Sequence, residues 1–186
     1  ILLGQNVNAY NHQDGSKLSR LSDLINELSE FKDIKRIRYT TSHPTNMTKD
    51  LISLHRSNKK LMPFLHLPVQ SGSDQILKKM NRKYSSKDYK NIINKLRKFN
   101  PDMQISSDFI VGFPGETDRD FEDTLNLINE IKFTQSYSFI YSERPGTKAS
   151  FESDQTSIKL KKERLKILQN QLQNIQLEFN KKFCNK

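Results

Sequence analysis

The side chains able to do chemistry in this sequence are mostly amides, hydroxyls and a few carboxylates, grouped at the ends of apolar runs. Gln5, Asn6 and Asn8 follow Ile1-Leu2-Leu3; Ser42 and His43 follow a run ending at Tyr39; Gln70 and Ser71 follow PFLHLPV. Asp108 lies inside the next run, with Gly112 and Glu116 after it, and Arg144 follows Tyr137–Tyr141. Amides and hydroxyls are costly to bury without partners, so a set of them at strand ends suits a rim or a binding site. The set would hold a polar organic cofactor or substrate by hydrogen bonds. It is not a self-sufficient acid–base machine, and no residue can be assigned a catalytic role from it.

Other constellations fail on spacing. His43, His55 and His66 fall in three different segments without metal-ligand spacing, and His12 stands alone in a polar stretch. His66, flanked by Leu65 and Leu67, reads as a structural histidine. Ser71-Gly72-Ser73 lacks the leading glycine of a nucleophile elbow, and neither a P-loop nor GxGxxG is present. The one cysteine, Cys184, can neither form an internal disulfide nor hold a cluster alone. No metal site is expected.

The elements that must position these residues centre on SSDFIVGFPGET, Ser106 to Thr117. Phe109-Ile110-Val111 reads as a buried strand, Gly112, Pro114 and Gly115 as a loop, and Thr117 as the cap of a helix with Asp120 three residues on. The pattern repeats along the chain. Ile1–Leu3 reads as a strand tail and the segment to Ser16 as a polar loop. A helix capped by Ser16 carries Leu18, Leu21, Leu24, Ile25, Leu28 and Phe31. A strand from Ile34 to Thr41 stops at Pro44, and Asn46 or Thr48 opens a short helix. A strand from Pro63 to Val69 leads to a helix begun by Ser73 or Asp74, and Ser86 caps a longer one stopped by Asn100-Pro101. Such alternation predicts an α/β fold with a parallel sheet. Polar residues at every strand end favour a partial barrel, which gathers its βα loops at one mouth, over a doubly wound sheet.

The 186 residues carry a net charge of +10. Phosphate-bearing partners account for such a surplus, and so does the lysine and asparagine enrichment of a biased genome. From Ile158 onward there are eight basic and two acidic residues. There Leu165, Leu168, Leu172, Ile175, Phe179 and Phe183 form an apolar seam, as on a long helix packed on a core with a solvated basic face, or on a basic arm that also meets nucleic acid. No run approaches a membrane span, so no membrane partner is expected. The opening Ile1-Leu2-Leu3 reads as a strand interior, which makes a piece of something longer the expectation.

The strings GQNVN, TTSHP, HLPVQSGS, MNRKYS, SDFIVGFPGET and YSERPGT, in this order, closely resemble the MiaB-type tRNA methylthiotransferases of the radical S-adenosylmethionine family. The resemblance covers Leu2 to about Ala149, then a C-terminal helix. It implies the C-terminal part of a partial (β/α)6 barrel over residues 1–149, strands 2 to 6, and a basic helix over 150–186 leading towards an RNA-binding TRAM domain. It implies methylthiolation of C2 of N6-isopentenyladenosine at position 37 of tRNA, in the cytoplasm or an organelle, by a monomer with an electron-donor protein as partner. The implied cofactors are S-adenosylmethionine and two [4Fe–4S] clusters, with the anticodon loop of tRNA as substrate. By the same resemblance Gln5 and Asn6 fall near the methionyl end of the cofactor, and Asn8, Ser42 and Asp108 count among its binding residues. Gln70 and Ser71 fall near its ribose and carboxylate, and Ile110 to Glu116, with Gly112, on its adenine side. Arg144 falls where a carboxylate or RNA phosphate would sit. The cysteine triplets that hold the family's clusters are not in this sequence, so this chain alone is expected to be inactive. The alternatives are a non-catalytic RNA-binding remnant, a sister branch acting on threonylcarbamoyladenosine or a ribosomal protein, and an unrelated partial barrel acting on small phosphorylated molecules.

Overall fold

The computed structural model describes residues 1–151, 156–182 and 184. In chain order the elements are β1 (Asn11–Asp14), β2 (Lys17–Arg20), α1 (Leu21–Glu30), α2 (Lys49–Ser57), β3 (Phe64–His66), α3 (Asp74–Lys79), α4 (Ser86–Phe99), β4 (Gln104–Val111), α5 (Asp118–Ile131), β5 (Gln135–Ile140) and α6 (Ile158–Lys181). Short 3-10 turns cover Val7–Ala9, Pro44–Asn46 and Lys148–Phe151. Contacts divide the chain into two compact units, Ile1–Pro68 with Lys90–Ser106, and Val69–Tyr89 with Ser107–Lys186.

The first unit is built on parallel pairing. Leu2 bridges Tyr39, Ile37 bridges Leu61, and β3 pairs in parallel with the start of β4, Leu65 opposite Ile105 and His66 opposite Ser106. Ile25, Ile37, Leu51, Leu65 and Ile105 are buried, so the helices lay their apolar faces against these extended segments. His66 Nδ1 and Ser106 Oγ lie 2.8 Å apart across the pair, so His66 has a cross-strand partner in the fold, in keeping with a structural histidine. The last carbonyls of α1, which lack partners within the helix, are served from outside it. Lys60 Nζ donates to Ser29 O at 2.6 Å and to Phe31 O at 2.8 Å.

Two local expectations fail here. The polar segment before Ser16 is not a loop but half of an antiparallel hairpin, β1 with β2, joined by Gly15-Ser16 with Asp14 opposite Lys17. Leu18 therefore sits in a strand, and α1 starts at Leu21 with Arg20 as its cap; Asp23 accepts the Arg20 N–H at 2.8 Å. Ile34 to Thr41 makes only single bridges rather than a full strand.

In the second unit Gln70 bridges Phe109 in parallel, and β5 lies beside β4 in the sheet. The aromatic core sets Phe109 edge-on to Phe133 at 5.2 Å and Phe113 to Tyr141 at 4.9 Å. The caps Ser73 and Thr117 form as expected. Thr117 and Asp120 exchange bonds in a capping box, with Thr117 N donating to Asp120 Oδ2 at 2.9 Å and Asp120 N to Thr117 Oγ1 at 3.2 Å. At α4 the capping hydroxyl is Ser85, not Ser86: Asp88 N donates to Ser85 Oγ at 3.1 Å and Ser85 N to Asp88 Oδ2 at 3.0 Å. The α6 seam buries Leu168 and Leu172 and half-buries Leu165, Ile175 and Phe179; Phe183 lies outside the described residues.

Candidate functional site

The first unit brings together Gln5, Asn6, Asn8, Ser42 and His43 around one strand end. Asn8 is buried and wholly engaged with the His43 backbone: its Nδ2 donates to His43 O at 2.8 Å, and its Oδ1 accepts the His43 N–H at 2.8 Å. This pair fixes the turn that presents Ser42. Thr41, just before it, holds φ 55° in the left-handed region, a strained setting for a β-branched residue, and its hydroxyl donates to the carbonyls of Gly4 and Thr40. The Ser42 Oγ is buried and has no hydrogen-bond partner among the described residues. A buried orphan hydroxyl costs about 1–3 kcal/mol, which a ligand group can recover. Asn6 is exposed and donates to Asn46 Oδ1 at 3.0 Å, and Gln5 is exposed.

Beneath this strand end lies a pair that the residue pattern does not reveal. Tyr39 OH and His55 Nε2 are 2.8 Å apart, both side chains are buried, and His55 Nδ1 has no partner among the described residues. Burial pulls the His55 imidazole down to about 4 and pushes the Tyr39 phenol well above its ordinary range. His55 is thus a neutral core histidine.

The second unit contains Gln70, Ser71, Asp108, Gly112, Glu116 and Arg144. Gln70 continues the pairing with β4, its N–H donating to Asp108 O and its carbonyl accepting from Ile110 N, both at 2.9 Å, yet its φ is 74°. The positive φ at Asn81 and Lys132 follows helix ends, where chain reversal accounts for it; at Gln70 the strain sits on a strand end inside the candidate site. Ser71 is spent on the fold. Its Oγ lies 3.2 Å from Thr124 Oγ1 and accepts from Ser73 N at 3.1 Å, while Ser73 Oγ donates to Asp120 Oδ1 at 2.5 Å. Gly72 between them is pressed on α5: a Cβ there would run into Asp123 O and lie 2.6 Å from Thr124 Cα.

Glu116 is also engaged. Its Oε2 accepts from Gly112 N at 2.8 Å and from Arg164 Nη1 at 2.8 Å. Arg164, 4% exposed, also donates to Glu116 O at 3.1 Å and to Asp118 Oδ1 at 2.7 Å, and lies over the Phe121 ring. Burial pushes the Glu116 carboxyl up, against the pull of the Gly112 N–H and of Arg164. Gly112 has φ 68°, and a Cβ there would meet Lys161 Cγ at 2.5 Å, so the loop after β4 is closely backed by α6. Asp108 is half-buried and Arg144 exposed. The solvated basic face expected of α6 does not include Lys161 and Arg164, which are buried. Their spacing to Leu168 and Leu172, by three, four and four, puts them on the seam instead, and that spacing is the signal in the sequence that marks them.

Among the described residues no three His, Cys, Asp or Glu side chains are grouped to hold a metal ion, and Cys184 is exposed at the end of the chain's last helix segment. These residues do not fit an iron–sulfur cluster. The amides and the orphan hydroxyl fit a polar organic ligand. Among the described residues no helix is long and apolar enough to cross a membrane.

The chain is 59% identical over 182 residues to the tRNA-2-methylthio-N(6)-dimethylallyladenosine synthase of Rickettsia canadensis (strain McKiel), which covers 97% of this chain and 41% of that protein. It is 56% identical over 181 residues to the enzyme of the same name from Rickettsia akari (strain Hartford), again over 97% and 41%. The chain thus spans about two fifths of the length of these curated relatives. Among solved structures, coproporphyrinogen III oxidase (HemN) from Escherichia coli, a radical SAM enzyme, is similar with a TM-score of 0.58 at 21% identity, over 72% of this chain and 31% of that one. That likeness bears on the fold, and it supports the partial-barrel α/β class expected from the strand ends. The model of the radical SAM superfamily matches residues 1–128, and with more than half of its length so matched the chain belongs to that superfamily.

Proposed function

We propose that this chain supplies the S-adenosylmethionine-facing strand ends of a tRNA methylthiotransferase that modifies C2 of N6-isopentenyladenosine in the anticodon loop. The observation that carries the reading is identity of 59% over 182 residues to a relative of that name. The two strained strand ends, Thr41 before Ser42 and Gln70 before Ser71, add physical support, because non-glycine residues in the left-handed region persist where surrounding structure over-determines them, often at ligand sites.

In this reading residues 1–149 form the barrel portion and residues 150–186 the basic helix that leads towards an RNA-binding domain. Ser42 Oγ, with the Gln5 and Asn6 amides, meets the methionyl ammonium and carboxylate. Gln70 meets the ribose or carboxylate from its strand end, while Ser71 serves by holding Gly72 and Ser73 in place. Asp108 and the backbone of Gly112 line the adenine side; Glu116 acts through its bond to the Gly112 N–H. Arg144, exposed, offers a guanidinium to carboxylate or phosphate. The [4Fe–4S] clusters supply the reductive chemistry when bound, and no step here depends on a cluster ligand from this chain. An electron-donor protein, a monomeric state and a cytoplasmic setting complete the proposal.

The test is S-adenosylmethionine affinity by equilibrium dialysis on the full-length protein that contains this chain, carrying Gln70→Ala. Affinity should fall about tenfold, the loss of one or two hydrogen bonds to a charged or polar group, with tRNA affinity unchanged. Unchanged cofactor affinity would overturn the assignment of Gln70. Absence of label from methyl-labelled S-adenosylmethionine in the modified nucleoside, with the cluster-loaded full-length parent protein, would overturn the activity.

A further inference from the structure

We propose that a pocket wholly within the first unit takes one unstacked nucleobase of the RNA substrate together with its phosphate. The pocket, about 270 Å³, lies between the Val7–Ala9 turn, the β1–β2 hairpin and the starts of α1 and α2. Its apolar part is Leu18, half-exposed, with Leu21 and Leu51, both buried. Its lining also includes Tyr10, 40% exposed, and Arg20, whose side chain is 55% exposed.

The polar groups are arranged unequally. Asn8 lines the pocket but has both ends of its amide tied to the His43 backbone, so it is wall. Asn46 accepts at Oδ1 from Asn6 Nδ2 at 3.0 Å, which leaves its Nδ2 as a donor without a partner among the described residues. Asn11 donates from Nδ2 to Ala9 O at 3.2 Å, which leaves its Oδ1 as an acceptor. A donor amide, an acceptor amide and a half-exposed aromatic ring are what a splayed base requires: hydrogen bonds to its edge and a stacking face. Arg20 supplies the cation. Its ion pair with Asp50 is long, 3.9 Å, and exposed, so the guanidinium is available to a phosphate. The volume lies below the roughly 300–1,000 Å³ of sites for whole drug-sized ligands, which argues for a single base over a whole cofactor. Of the candidate cofactor residues only Asn8 lines this pocket, and there as wall.

The proposal rests on the reading that the substrate is RNA, and the experiment separates the two. The chain is titrated by fluorescence anisotropy into an RNA hairpin with a seven-nucleotide adenosine-containing loop, and into the blunt duplex of the same stem. Tyr10→Ala should weaken hairpin binding at least roughly fivefold, the lower end of one stacked base, and leave duplex binding within about twofold. Tyr10→Phe, which keeps the ring, should bind like the parent. Arg20→Ala should weaken the hairpin and reduce the salt dependence by about one phosphate contact. Hairpin binding by Tyr10→Ala equal to the parent's, or an equal loss on hairpin and duplex, overturns the pocket and leaves the RNA reading standing. A parent chain that binds neither RNA overturns both. Circular dichroism at each step confirms that the variants are folded.

Discussion

The two strand-end turns Thr41–His43 and Gln70–Ser73 share a left-handed non-glycine residue and a serine directly after it, yet they use their hydroxyls in opposite ways. In the second unit the hydroxyls of Ser71 and Ser73 are all taken up by Thr124, Asp120 or the turn itself, and Gly72 is pressed on the α5 backbone. In the first unit the turn is held instead by an asparagine, Asn8, and the Ser42 hydroxyl is left buried without a partner. One turn spends its polar groups on the fold; the other keeps one in reserve. The lesson is that a serine at a strand end is not evidence of a binding role until its partners have been counted.

If that contrast is right, its largest effect falls on Gly72. Gly72→Ala places a methyl group against backbone atoms that cannot step aside, and should cost about 3 kcal/mol in urea unfolding, the upper part of the range for overpacking. A midpoint equal to the parent's would mean that the second turn is not pinned to α5. Next comes acid. His55, below the first turn, stays neutral in the fold with its imidazole drawn down to about 4, whereas in the unfolded chain it takes a proton near 6.5. The unfolded state therefore binds more protons between those values, and stability falls as pH drops from about 6.5 towards 4, by up to about 3 kcal/mol, then levels below it. The difference between urea midpoints at pH 7.5 and 4.5 should shrink in His55→Gln, and an unchanged difference would show that His55 titrates freely. The smallest effect on stability belongs to Ser42→Ala. Removing an orphan hydroxyl should change unfolding by less than about 0.5 kcal/mol or stabilise slightly, while S-adenosylmethionine affinity falls. A loss above about 1 kcal/mol, the usual worth of a made hydrogen bond, would mean that the Ser42 hydroxyl is bonded within the fold like that of Ser71.

Much of this is legible from local rules. The caps Ser73 and Thr117, the apolar run into Gly112 and the α6 seam each state their structure within a few residues, because capping and periodicity are short-range. The hairpin is not, although Asp14-Gly15 is a strong turn signal. Its flanks, Asn-His-Gln-Asp and Lys-Leu-Ser-Arg, lack the alternating apolar residues that mark a strand, and β1 is exposed along its whole length. Residue type alone picks out the candidate site residues, but not what each of them bonds. That Ser71 bonds Thr124, or Glu116 bonds Arg164, depends on partners 53 and 48 residues away, beyond any local pattern.

The Glu116–Arg164 pair also sets an order of events during synthesis. Glu116 leaves the ribosome 48 residues before its guanidinium partner, a delay of about 2–10 s at ordinary elongation rates. During that interval the carboxylate has only water and the Gly112 N–H to serve it, and burying it in this state is unfavourable. The strand-end loop from Gly112 to Glu116 therefore takes its final form only when α6 has been made, and the last helix acts as its timer.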